Sequence, residues 1–63
     1  MNEAETLRDE YGCTEIEYLG DGVYAGYDGY HIWVCCRRGD QMHAVAFEPA
    51  VFRKLEKYWD TLA

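Results

Sequence analysis

The side chains best equipped for catalysis or metal binding in this 63-residue chain are Cys13, Cys35, Cys36, His31 and His43. A covalent mechanism needs a nucleophile beside a base that a third group orients. The chain contains no serine, which excludes a serine nucleophile. Cys36 and His43 fall opposite each other in the strand register derived below, but no third residue is placed to orient the imidazole. A zinc site from Cys35, Cys36, His31 and His43 fails on geometry, because these ligands divide between the two faces of one sheet and no CxxC or HxxxH spacing occurs. The glycines of Gly20-Asp21-Gly22-Val23-Tyr24-Ala25-Gly26 have neither the following helix nor the lysine of a phosphate loop. No catalytic, cofactor-binding or metal-binding residue is therefore assigned, and the chain reads as a non-enzyme. Three cysteines cannot pair completely, and neighbours on a strand point to opposite faces. Cys13, Cys35 and Cys36 read as small core or near-core hydrophobes in a reducing compartment, with any redox role left open.

The carboxylates carry the stronger signal. Residues 1–28 hold Glu3, Glu5, Asp9, Glu10, Glu15, Glu17, Asp21 and Asp28 against Arg8 alone, a net of −7. The remainder holds Asp40, Glu48, Glu56 and Asp60 against Arg37, Arg38, Arg53, Lys54 and Lys57, a net of +1. A field of one sign repels nucleic acid and favours a basic protein surface. Aromatic residues on a sheet resemble base-stacking platforms, but those need a basic surround, so direct nucleic-acid binding is excluded. Glu15 and Glu17, two apart on a strand, set their charges roughly 7 Å apart, comparable with successive phosphates of a nucleic-acid strand. With Glu3, Glu5, Asp9 and Glu10 on a helix they are candidates for mimicry of a DNA backbone. The plainer alternative is a solvated acidic surface that keeps a small protein in solution.

The elements that position these groups follow from pattern. Ala4, Leu7 and Tyr11 fall at helical spacing between a capping Asn2 and Gly12, which predicts a short N-terminal helix. Apolar alternation predicts a strand over 14–19, a second over 23–27 and a third over 30–37, followed by a fourth that ends at Phe47. Asp21-Gly22 and Asp28-Gly29 are hairpin signals, since both central positions of a type I′ turn need positive φ. Two-residue turns at both sites place Tyr18 opposite Ala25, Ile16 opposite Tyr27, Ala25 opposite Ile32 and Val23 opposite Val34. The last turn places Val34 opposite Val45 and Ile32 opposite Phe47. One face then gathers Ile16, Tyr18, Val23, Ala25, Tyr27, Tyr30, Ile32, Val34, Val45 and Phe47. Pro49 opens a helix whose Val51, Phe52, Leu55, Tyr58, Trp59 and Leu62 form an apolar stripe, and that helix is expected to cover this face. The fold class is α+β: a four-stranded antiparallel β-meander covered on one face by a C-terminal helix, with a short N-terminal helix. On the opposite face Tyr24 and Trp33 either lie under the N-terminal helix or stay open as a contact patch.

At this length the chain is one domain, 1–63, with room for one small core. No apolar run reaches the ~18 residues of a membrane span, and Met1 to Tyr11 is acidic, unlike a signal peptide, so a cytoplasmic protein without membrane contact is expected.

Residues 18–34, YLGDGVYAGYDGYHIWV, followed by Val45-Ala46-Phe47-Glu48-Pro49-Ala50-Val51 and an apolar helix, resemble a family of very small phage and prophage proteins. The resemblance covers roughly residues 18–62, and the short acidic members of such sets look like anti-CRISPR proteins of the type I-C inhibitor group. It implies a phage protein in the cytoplasm of a bacterial host cell. There it binds the large, DNA-engaging subunit of a type I Cascade complex, as a monomer, and blocks target DNA. The partner-binding residues expected on this reading are Glu3, Glu5, Asp9, Glu10, Glu15, Glu17, Asp21, Asp28, Tyr24 and Trp33. The alternative is an acidic antitoxin-like or regulatory protein that neutralises a basic partner.

Overall fold

The computed structural model describes residues 2–63. Helix α1 (Glu3–Tyr11) begins in a capping box. The Asn2 side chain accepts the Glu5 N–H at 2.8 Å while the Asn2 N–H donates to Glu5 Oε1 at 3.0 Å, so two otherwise orphaned amides are satisfied. Gly12, left-handed at φ 73°, ends the helix, and the Cys13 N–H returns to the Leu7 carbonyl.

Strands β1 (Glu15–Gly20), β2 (Val23–Tyr27), β3 (Ile32–Arg38) and β4 (Gln41–Phe47) pair in sequence order, all antiparallel. Helix α2 (Pro49–Leu62) completes the expected α+β arrangement. Asp21 and Gly22 both have positive φ, 53° and 78°, as a type I′ turn requires.

The register departs from expectation in two places. Tyr18 pairs with Tyr24 and Gly20 with Val23, which leaves Leu19 as an extra, unpaired residue. This bulge slips β1 by one residue. Ile16 therefore lies opposite Gly26 rather than Tyr27, and Ile16 and Tyr18 move to the face of Tyr24, Trp33 and Cys35. Glu15 and Glu17 move to the face of Ala25 and Val34. Between β2 and β3, only Gly29 of the Asp28-Gly29 pair has positive φ, and the connection is the four-residue loop 28–31 rather than a type I′ turn. Ala25 pairs with Val34 and Val23 with Cys36, a shift of two that keeps each side chain on its expected face. Val34 opposite Val45 and Ile32 opposite Phe47 are as expected.

The core lies under α1. Leu7, Cys13 and Cys35 are fully buried, with Tyr11, Ile16, Tyr24, Trp33 and Met42 packed around them. Tyr11 stacks on Trp33 with ring centroids 4.2 Å apart and planes within 11°. Of the two readings of this face, the covered one holds, and Tyr24 and Trp33 are not an open patch. Gly26 makes the close approach workable. A Cβ there would sit 2.8 Å from Cys13 Sγ and 2.9 Å from Cys13 Cβ, so only glycine admits the loop after α1 so near the sheet.

Helix α2 does not cover the sheet. None of its residues is buried, and its apolar stripe is in water, with Trp59 65% and Leu55 45% exposed. The single extended residue Glu48 joins β4 to Pro49 and carries the helix off the strand end. A ring contact between Phe47 and Phe52, centroids 6.2 Å apart, ties its base to the sheet. Among the described residues no helix is long and apolar enough to cross a membrane.

Candidate interaction surface

The carboxylates expected to act together are separated by the fold. Glu3 ion-pairs with Arg37 at 4.0 Å, with its side chain 19% exposed. Glu5 is held in the capping box, and Asp9 pairs with Arg8 at 3.4 Å on the surface. Asp28 is structural. Its Oδ1 accepts the N–H groups of Tyr30 at 2.9 Å and His31 at 2.6 Å, and its Oδ2 accepts Trp33 Nε1–H at 2.9 Å and lies 3.2 Å from His31 Nδ1. The Trp33 indole first, then the two backbone amides, hold its carboxyl well below the usual carboxylate range. This carboxylate ties the 28–31 loop to the aromatic core, and its charge is already spent on internal donors.

Glu10, Glu15, Glu17 and Asp21 remain exposed, and among the described residues none has an ion-pair or side-chain hydrogen-bond partner. Glu10 belongs to α1, on one side of the sheet. Glu15 and Glu17, inverted by the Leu19 bulge, lie on the other side, along the edge strand β1. The structure therefore does not join Glu15 and Glu17 to the helix acids in one flat array. They border an apolar face instead.

The sequence pattern gathered most of that face but expected α2 to cover it, and its openness is what sequence reasoning missed. Val23, Ala25, Val34, Cys36, Val45 and His43 share it, and a shallow groove runs along Val23, Val34, Cys36 and Val45. Val45 is 48% exposed in mid-strand, where the sequence expects helix cover. The signal for this lay in the connection: one residue between a strand end and a 14-residue helix leaves no loop to fold the helix back over the sheet.

Cys36 and His43 do pair across β3 and β4. Among the described residues nothing hydrogen-bonds to the His43 ring, and no three His, Cys, Asp or Glu side chains gather as a metal-holding group. All three cysteines are free thiols. Burial, then the Asp28 charge, pushes the Cys13 thiol up, and burial, then the Glu3 charge, does the same for Cys35. Both are packing groups of low reactivity. Comparison with family models, with curated proteins and with solved structures returned no match for this chain.

Proposed function

We propose that this chain is a non-catalytic, acidic binding protein that occupies a basic, nucleic-acid-binding surface of a partner protein. The observation that carries the reading is the set of unpartnered, exposed carboxylates Glu15, Glu17 and Asp21 along the free edge strand β1 and its turn, with Glu10 on the adjoining helix. Carboxylates without internal partners are available to lysine and arginine side chains that otherwise hold phosphate. The resemblance of residues 18–62 to small phage inhibitors directs the proposal to an anti-CRISPR role in the bacterial cytoplasm, with the large subunit of a type I Cascade complex as the target. Mimicry then rests on the β1 edge, because Glu3, Glu5 and Asp28 are engaged internally and Tyr24 and Trp33 are covered.

The test is competition. Purified type I-C Cascade is mixed with labelled target DNA and increasing amounts of the chain, at low and at physiological salt. Wild type should displace DNA, and more weakly as salt rises. Glu15→Lys with Glu17→Lys, and separately Glu10→Lys with Asp21→Asn, should each weaken displacement about tenfold or more, a loss of roughly 1.4 kcal/mol or greater. Asn tolerates the left-handed conformation at position 21, so both pairs should melt near the wild-type temperature. Wild type that leaves Cascade bound to DNA, or both variant pairs blocking DNA as wild type does, refutes the proposal. Capture of a different basic protein would instead favour the antitoxin-like reading.

A further inference from the structure

We infer that the open apolar face of the sheet is closed by α2 of a second copy of this chain, and reciprocally, in a two-fold dimer that exchanges C-terminal helices. Three observations point to a second copy rather than to a lone chain.

The first is area. A compact folded monomer of 7.4 kDa exposes about 4,200 Å² and 63 residues have a radius of gyration near 10.6 Å. This chain exposes 4664 Å² and its Cα radius of gyration is 12.2 Å. Helix α2 contributes to the excess, projecting from the sheet with Val51, Leu55, Tyr58, Trp59 and Leu62 each 45–65% exposed.

The second is complementarity within one sequence. The chain carries both an apolar helical stripe with no sheet beneath it and an apolar sheet face with no helix above it. Isologous pairing satisfies both at once. From the exposed fractions, each helix stripe offers on the order of 500 Å², taking 150–250 Å² for a large side chain. Two stripes on two faces then hide on the order of 2,000 Å², the top of the range for a stable interface. A core in which, among the described residues, only Leu7, Cys13 and Cys35 are fully buried is also meagre for a domain of this size, and oligomerisation is one of the ways such domains gain stability.

The third is charge. On α2, Lys54 flanks the stripe on one side and Glu56 on the other, by helical spacing. The sheet face carries Glu15 and Glu17 along the β1 edge, and the Arg38 guanidinium reaches Gly22 at the β1–β2 turn. A helix from a second copy laid with its Lys54 flank toward β1 meets opposite charge there, one lysine against two carboxylates, so the edge stays net acidic. The monomer expected from the sequence gives way, on this inference, to a two-chain species.

Sedimentation equilibrium and a complementation experiment test the inference. Wild type should sediment at twice 7.4 kDa at high concentration. Leu55→Asp on the helix and Val45→Asp on the sheet should each sediment as one chain with unchanged far-ultraviolet circular dichroism, because both side chains are about half exposed in the single chain. Mixing the two variants should restore a two-chain species, since a mixed pair collects both lesions in one helix–sheet contact and leaves the other intact. Wild type at one-chain mass throughout overturns the inference, and so does a Leu55→Asp variant that stays dimeric. If mixing restores nothing, reciprocal exchange is wrong. A wild type that is one chain alone, and loses Cascade binding on Leu55→Asp, assigns the face to that partner and likewise overturns the dimer.

Discussion

Replacing Leu7 by Ala separates two accounts of what holds this domain together. Leu7 has no exposed surface and lies between the Cys13 loop, Gly26 and Cys35, so truncation removes buried methyl groups and leaves a cavity that the rigid sheet cannot fill. Such truncations cost about 2–5 kcal/mol. For a domain of this size the total stability is about 5 kcal/mol or less. At roughly 4–8 °C per kcal/mol, the melting temperature should fall by at least about 8 °C, and the variant should lie near the edge of unfolding at ambient temperature. Leu55→Ala removes the same atoms from a side chain 45% exposed on α2, and within a single chain should cost under about 1 kcal/mol. The assay is thermal melting by circular dichroism at a low and a high protein concentration. The Leu7→Ala deficit should be similar at both, whereas any Leu55→Ala deficit should grow with concentration, as linkage to association requires. If Leu55→Ala in dilute solution melts as low as Leu7→Ala, α2 and not α1 covers the core and the packing described above is wrong.

Gly26→Ala should destabilise by about 1–3 kcal/mol, because its Cβ would meet Cys13 within 3 Å, and a melting temperature equal to wild type would show that the α1 loop can lift off the sheet without cost. Asp28→Asn should lower the melting temperature at neutral pH, since an amide keeps one acceptor oxygen and must turn its NH2 group toward either the Trp33 indole N–H or the two backbone amides. The Asp28 carboxyl is depressed in the folded chain, so its contribution is present above the unfolded value of about 4 and is lost as pH falls below it. Melting curves from neutral pH into that acid range should therefore converge for wild type and Asp28→Asn, and parallel curves would refute the assignment. In the single-chain Leu55→Asp variant a thiol reagent should modify Cys36 well before Cys13 and Cys35, read by intact mass and peptide mapping; equal rates would mean that the core opens readily.

The parts of this fold legible in the sequence are those set by neighbours along the chain. Asn2, Glu5 and Gly12 bound α1 through local hydrogen bonds, and Asp21-Gly22 dictates its turn through backbone sterics. The α2 boundaries follow from Pro49 and the apolar stripe, and they match. The candidate site was legible only as a list of charges. Whether a carboxylate is free depends on what lies across space: Arg37 reaches Glu3, and Trp33 reaches Asp28. Neither pairing leaves a trace in spacing.

What the sequence by itself determined is the set of elements, their order and the alternation inside each strand. Tertiary structure alone decided which side of β1 meets the core, because alternation defines parity within a strand but not between strands, and one bulged residue, Leu19, inverts it. It also decided that α1 covers the Trp33 face and that α2 stands clear of the other. Amphipathicity states that a helix must bury one side. Only the length and direction of the connection at Glu48, set in three dimensions by where β4 ends, determine whether its own sheet is within reach.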